Sequence, residues 1–376
     1  MRPIKMVDLH GLYLNIKSEV DLAIQQVLDR TDFIQGKSVA EFEGSLSNYL
    51  GGTNVISCGN GTDALQIAMM ALDFKPGDEV ILPVHTYVAT AEVFALLNLA
   101  PVFVDVDDVT FCIDIAQIEK KITNKTVAIV PVHLYGQCAP MTAILELAKK
   151  HKLHIIEDAA QSLGADYIHA DGTRMKSGTM GIIGSTSFFP TKNLGAFGDG
   201  GALFTNDRAL AEKIRMIANH GQRKKYYHEI IGVNSRLDTL QAAILNVKLN
   251  HLNEYAAKRN LVADYYDSHL QEVKFLTTPK RAAYSTHVFH QYTIIVNGVN
   301  RDALKSYLLE KGIPSMIYYP VPLHFQQAYK KEGIGAGSFP VAEKLSDTVL
   351  SLPIHTEMET EQLSYICNTI KSFSNS

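Results

Sequence analysis

The sequence predicts an α/β fold, a large domain with a mostly parallel mixed sheet sandwiched by helices, followed by a small C-terminal α+β domain. Three observations predict it. From about residue 54 to 220, short β-branched runs alternate with helix-length amphipathic segments, the order in which strand–helix–strand crossovers build a sheet covered on both faces. A helical stretch rich in Leu, Ala, Asn and Lys then runs from near Asp238 to Ala263, with Asp238 as candidate N-cap. Beyond about residue 283 strand-like runs mix with helices. A chain of 376 residues is long enough for two domains, and the expected division is 1–250, including the N-terminal segment, and 251–376.

The strands are read in order as Val55-Ile56-Ser57, Glu79 to Pro83, Pro101 to Asp105, Val127 to Pro131 and His154 to Asp158. Ligands on such sheets sit at the carboxyl ends of the strands. In the second domain Gln291 to Val296 reads as a strand, and Arg301 to Lys311 and Glu361 to Phe373 read as helices.

Composition narrows the function classes. Hydrophobic residues are 46% and charged residues 20% of the chain, as in an ordinary globular protein. Lys plus Arg number 35 against 39 Asp plus Glu, so the basic excess that binding a nucleic-acid backbone needs is missing. No apolar run approaches the ~20 residues that span a bilayer, and the first residues lack the apolar core of a signal peptide. No membrane partner and a cytoplasmic location are the expectation. The four cysteines form no Cys-x-x-Cys pair, and among fourteen histidines the pairs His287/His290 and His151/His154 lack companion ligands. No metal site is expected.

Gly59-Asn60-Gly61-Thr62-Asp63-Ala64 follows a strand and opens a helix read as Thr62 to Leu72. Free N–H groups and the positive end of the helix dipole there suit a phosphate. The segment also fits G-x-G-x-x-[G/A], which keeps a dinucleotide site open. Against it, the ribose-binding acid should end the second strand, whereas Asp78 and Glu79 begin it. A tight turn with no ligand is the third reading.

Asp158 ends an apolar strand, where a carboxylate needs either a positive partner, such as a protonated pyridine nitrogen, or a helix to cap. Lys192 follows Ser187-Phe188-Phe189-Pro190-Thr191 and precedes the glycine-rich Gly195 to Gly201. An isolated lysine there is a solvated loop residue; held among aromatic and hydroxyl groups, its amine is pushed toward the neutral form that a Schiff-base nucleophile requires.

Six blocks in order, Gly61-Thr62, Thr86 to Thr90, Glu157 to Gln161, Ser187 to Lys192, Gly198 to Gly201 and Gly232 to Asp238, resemble the DegT/DnrJ/EryC1/StrS family of nucleotide-sugar aminotransferases across nearly the whole chain. The resemblance implies the type I fold of pyridoxal-phosphate (PLP) enzymes. It makes Lys192 the lysine that bonds PLP, Asp158 the partner of the ring nitrogen, Gln161 a donor to the ring hydroxyl oxygen and Tyr87 the stacking residue. Gly61, Thr62 and Ser187 would hold the phosphate, and Asn234 would reach it from a neighbouring subunit of a homodimer with shared sites. An amino-acid donor, L-glutamate first among them, would leave its amino group on the cofactor as pyridoxamine phosphate, which then passes it to a nucleotide-linked keto sugar.

The run Asn219 to His228 and the Asn234 to Asp238 block resemble members that aminate C3 of a 3-keto sugar, some of them acting on a 2-acetamido-3-keto uronate. Arg236 is a candidate for an acidic group of substrate or donor, or for an interface salt bridge. Tyr318 stands where uronate-type members have His, which weakens the uronate assignment. Tyr318, Tyr319 and His324 are candidates for the sugar pocket, with packing as the alternative, and His85 is divided between cofactor pocket and core. A 4-keto sugar aminotransferase is the nearest alternative. A PLP-dependent sugar dehydratase would resemble the pattern with His in place of Lys192, and a non-enzymatic regulatory relative would have gaps at Asp158, Gln161 or Lys192.

Overall fold

The computed structural model describes residues 2–373. Seven strands make the main sheet: β1 (Asn54–Cys58), β2 (Glu79–Pro83), β3 (Ala100–Val104), β4 (Thr126–Ile129), β5 (His154–Asp158), β6 (Ile183–Ser187) and β7 (Gly201–Thr205). They lie in the order β1-β7-β6-β5-β4-β2-β3. Only β7 runs antiparallel to its neighbours, β1 and β6; the other pairings are parallel.

Successive side chains of a strand point to opposite faces, and here both faces are buried, as a sheet with helices on each side requires. Val80 and Leu82 of β2, with Ala128 of β4 and Ile156 of β5, pack on one face against Ala64, Ile67 and Phe94. Ile81, Ile129 and Ile155, from the same strands, pack on the other face against Ile118, Met141 and Ile144. Burial on both sides explains why these strands read as near-continuous apolar runs.

The register gathers the chemistry at one edge. Asp158 is paired with Ser185, Ser187 with Gly201, and Cys58 also with Gly201. The ends of β1, β5 and β6 therefore converge on one place. Gly201 has to be glycine, because a Cβ there would lie 2.4 Å from the Asn60 carbonyl oxygen.

The end of β5 is locked by a buried carboxylate. Glu157 accepts from His133 Nε2 at 2.8 Å and from the backbone N–H groups of Gly178, Met180 and Gly181 at 3.0, 2.6 and 2.5 Å. His133 Nδ1 accepts the Ala139 N–H at 3.0 Å, so the hydrogen of the neutral ring sits on Nε2, facing Glu157.

The expected continuous helix from Asp238 to Ala263 is two helices, Thr239–Asn250 and Leu252–Leu270, meeting at His251. His251 keeps a right-handed backbone at the junction (φ −99°, ψ −2°), its ring stacks on Tyr255 and its nitrogens approach Glu19 and Glu254. Asp238 occupies the N-cap position, but its side chain makes no capping bond. The first of the two helices packs with Phe42 and Leu46 of the N-terminal segment. The second contributes Val262 and Tyr266 to a separate core, under the sheet of Leu276–Thr277, Tyr292–Val296 and Val349–Leu352. Ile4 crosses into that second core, while Phe339, Ala342 and Leu345 cross back into the first.

Buried Arg259 donates to the carbonyls of Phe289 and Ile354, both at 3.0 Å, which ties the turn before His290 to the second core. Glu157→Ala should cost about 3 kcal/mol, since it strands several buried donors together. A thermal-unfolding midpoint lowered by several degrees is the expected result, and an unchanged midpoint would show that Glu157 does not lock β5.

Candidate active site

A cavity of about 640 Å³ opens at the carboxyl edge of the sheet, lined by Gly61, Thr62, Tyr87, Asp158, Gln161, Ser187 and Lys192, with His290, Tyr318 and Tyr319 on the far side. Its floor is the N-terminus of the helix Gly61–Ala71, whose Asn60 cap accepts the Asp63 N–H at 2.8 Å. Thr62 lies in the first turn, and Ser187 packs so close that a Cβ on Gly61 would sit 2.7 Å from the Ser187 Cβ. First-turn N–H groups with a hydroxyl at each side make an anion cradle. Ser235 braces it, donating to Asp63 Oδ2 at 2.6 Å and accepting the Gly59 N–H at 2.9 Å.

Asp158 is buried, with Oδ2 accepting from Thr90 Oγ1 at 2.9 Å and Oδ1 from the Ala160 N–H at 3.1 Å. The residues that follow form turns rather than a helix, so the carboxylate caps no helix. Lys192 lines the same cavity and, among the described residues, its amine makes no hydrogen bond or ion pair. Burial pulls that amine from its ordinary 10.5 down to about 8, against the opposing pull of the Asp158 charge.

Gln161 is oriented without ambiguity. Its Oε1 accepts the Tyr135 N–H at 2.8 Å, and its Nε2 donates to Tyr319 Oη at 3.1 Å, leaving a second Nε2 hydrogen. Tyr87, 57% exposed, presents its ring in the cavity, 6.1 Å from that of Tyr319.

The arrangement can hold an anion, face a planar ring with an aromatic side chain and set an amine that gives up its proton more readily than an ordinary lysine against a carboxylate. Comparison with known proteins places the chain. The model of the DegT/DnrJ/EryC1/StrS aminotransferase family matches residues 14–371. The chain belongs to that family. It is 46% identical to the UDP-2-acetamido-2-deoxy-3-oxo-D-glucuronate aminotransferase of Pseudomonas aeruginosa, over 97% of this chain and 98% of that one. It is also 46% identical to the pleiotropic regulatory protein of Geobacillus stearothermophilus, over 98% of each. The crystal structure of S. venezuelae DesV in complex with a ketimine intermediate superposes with a TM-score of 0.94 at 40% identity, covering 99% of this chain and 98% of that one.

Other sequence-derived candidates of this aminotransferase-family chain lie elsewhere. Asn234 is exposed and outside the cavity. Arg236 is half-buried in a separate surface depression with Gln35, Ser57 and Asn219. His324 does not line the pocket: it is buried against Phe325 and Phe339, with Nε2 3.1 Å from Glu343 Oε1. His85 is fully buried behind the wall. The acid a dinucleotide would need is misplaced as well, since Glu79 opens β2 and accepts from Thr123 and Thr126.

Thr90, Tyr135 and His290 line the cavity without having been singled out for it. Thr90 lies inside a block that was read for its tyrosine; Tyr135 depends on a left-handed backbone (φ 58°) that the residue type does not signal. Among the described residues, no cluster of three or more His, Cys, Asp or Glu could hold a metal, and no helix is long and apolar enough to cross a membrane.

With its amine near 8, Lys192 is about one-tenth neutral at pH 7, against fewer than about one in a thousand for an ordinary lysine. Burial penalises the charged form, so the reactive fraction rises with pH through 8. Labelling of cofactor-free protein by trinitrobenzenesulfonate, read by peptide mapping with a Lys192→Met control, should give a midpoint near pH 8 at Lys192. A midpoint near 10.5 would contradict the desolvated amine.

Proposed function

We propose that this chain is a PLP-dependent nucleotide-sugar aminotransferase that moves an amino group from an amino-acid donor, L-glutamate first among them, to the C3 keto group of a nucleotide-linked sugar. The observation that carries this reading is the placing of an unpartnered Lys192 amine, lowered by burial to about 8, and a hydrogen-bonded Asp158 carboxylate in one cavity above a helix N-terminus. The residues fit the cofactor: the Gly61–Thr62 N–H groups and Ser187 suit its phosphate, Tyr87 its ring face and Gln161 Nε2 its ring oxygen. When bound, PLP supplies an aldehyde for amine exchange and an electron-withdrawing ring.

The chain's own groups do the rest. Lys192 Nζ would hold the aldehyde carbon of the bound cofactor until the donor's amine replaces it there, and the released amine would take the proton from the donor's α-carbon. Asp158, whose oxygens accept from Thr90 and the Ala160 N–H, would hold a proton on the ring nitrogen. In the second half-reaction Lys192 returns a proton to the sugar carbon that receives the amine. The C3 assignment leans on the 3-oxo substrate in the name of the Pseudomonas relative, and Tyr318 favours a sugar without a carboxylate there. A 4-keto sugar is the second choice.

A homodimer would complete the site. Asn234 is exposed, Arg236 has no ion pair among the described residues, exposed Tyr226, Tyr227 and Ile231 precede them in the sequence, and exposed Phe33 and Ile34 reach the block through the Ile34–Asp238 bridge; a partner's cavity, with its phosphate, is the expected neighbour. The regulatory name of the Geobacillus relative raises a non-enzymatic reading, but Lys192, Asp158 and Gln161 all stand in the cavity, which favours catalysis. A cytoplasmic location suits nucleotide-sugar substrates.

Purified protein supplied with PLP, L-[15N]glutamate and UDP- or dTDP-linked 3-keto and 4-keto sugars should deliver label to C3. Lys192→Ala should lower turnover by at least about a thousandfold. Full turnover in that variant would overturn the reading, and label at C4 alone would overturn the C3 assignment.

A further inference from the structure

The segment from Met316 to Leu323 forms the cavity's far wall and is anchored at its ends by backbone bonds, Met316 with Ser351 and the Leu323 N–H to the Val84 carbonyl at 3.1 Å. Between those anchors two side-chain links tie it to the large domain, the Gln161 Nε2 bond to Tyr319 Oη at 3.1 Å and a chain through Tyr135 and His85. The Tyr135 hydroxyl donates to the Tyr318 carbonyl, and His85 Nε2 lies 3.1 Å from the same hydroxyl. A phenol has one hydrogen, and here it is spent on the carbonyl; its oxygen must therefore accept, so His85 Nε2 carries the ring hydrogen and donates. His85 Nδ1 is then the bare nitrogen, and it is buried with no partner.

Such a buried ring is retained at a cost, because an unsatisfied nitrogen destabilises the fold. Packing alone would be served as well by an apolar side chain. Burial also holds His85 at about 4, so the ring stays neutral across the working pH range.

We infer that His85 and Tyr135 are a positioning pair that fixes the Tyr318–Tyr319 wall against Gln161 and thereby shapes the sugar side of the cavity. Tyr135 acts at both levels: its N–H fixes Gln161 Oε1, its hydroxyl fixes Tyr318, and the Gln161 Nε2 bond to Tyr319 Oη closes the ring of contacts. Its left-handed backbone (φ 58°) lets one residue present both groups to the same cavity. The inference rests on the proposed aminotransferase reading for the identity of the ligand, but the geometry it invokes is a property of the chain alone.

The test uses PLP-loaded full-length protein. Tyr135→Phe removes only the hydroxyl and leaves the N–H to Gln161. Hydrogen exchange of the Met316 and Leu323 amides should accelerate about tenfold, as expected for the loss of one buried hydrogen bond, while the PLP dissociation constant from absorbance titration stays within about twofold. His85→Gln, whose amide can still donate to Tyr135, should keep wild-type exchange, and His85→Leu should behave like Tyr135→Phe. With the sugar that wild type aminates, KM should rise by about tenfold in Tyr135→Phe and more than kcat falls. Unchanged exchange in Tyr135→Phe, equal effects of Gln and Leu at position 85, or a loss of PLP affinity that follows thermal destabilisation would each overturn the pair. Failure of the wild-type protein to take up PLP would instead overturn the proposed function and leave the exchange result to judge this inference.

Discussion

Lys192 and Asp158 share one cavity without forming an ion pair, and the rest of the site is arranged around that separation. An amine and a carboxylate left to themselves in a low-dielectric space attract strongly, and a direct contact would hold Lys192 charged and unreactive. Here the carboxylate is taken up by Thr90 and Ala160, and desolvation outweighs its pull on the amine, which ends near 8. The balance depends on where β5 and β6 stop. Their register, Asp158 against Ser185, and the Glu157–His133 lock behind the strand set it.

From that constraint the construction follows outward. The antiparallel β7 brings Gly201 against the Asn60 turn, and Gly61 lets Ser187 approach the helix N-terminus. The phosphate cradle and the lysine turn thus lie at the same end of one short strand pair. The far wall comes from the C-terminal part of the chain, tied back by Tyr135 and by the Gln161–Tyr319 bond. One side of the cavity is consequently built from the rigid sheet, and the other from a segment that side chains hold in place. A rigid side for a constant cofactor and an adjustable side for a variable sugar is a sensible division for an enzyme whose relatives differ in substrate.

Much of this was readable in the sequence because the sheet is buried on both faces, so its strands stand out as apolar runs, and because the chemistry clusters at strand ends. Lys192, Asp158, Gln161, Thr62 and Ser187 each sit within a residue or a few of such an end, and the structure brings them together. Residues whose place depends on long-range contact were not readable. His324, with its aromatic neighbours, looks like a pocket residue in sequence but is drawn into the core by Glu343. Tyr135 looks like a strand-end aromatic, and only its backbone conformation reveals its two contacts. The break at His251 carries no glycine or proline to mark it. Asn234 and Arg236 lie outside the cavity, which their place in a glycine-to-aspartate block does not signal.

The most direct measurement of the central claim is chemical. Protein incubated with PLP, reduced with borohydride, digested and mapped by mass spectrometry should carry the phosphopyridoxyl group on the peptide containing Lys192, with Asp158→Asn changing the absorbance of the bound cofactor but not the labelled residue. A label on Lys248, the other buried lysine near this turn, or on no specific lysine would contradict the account.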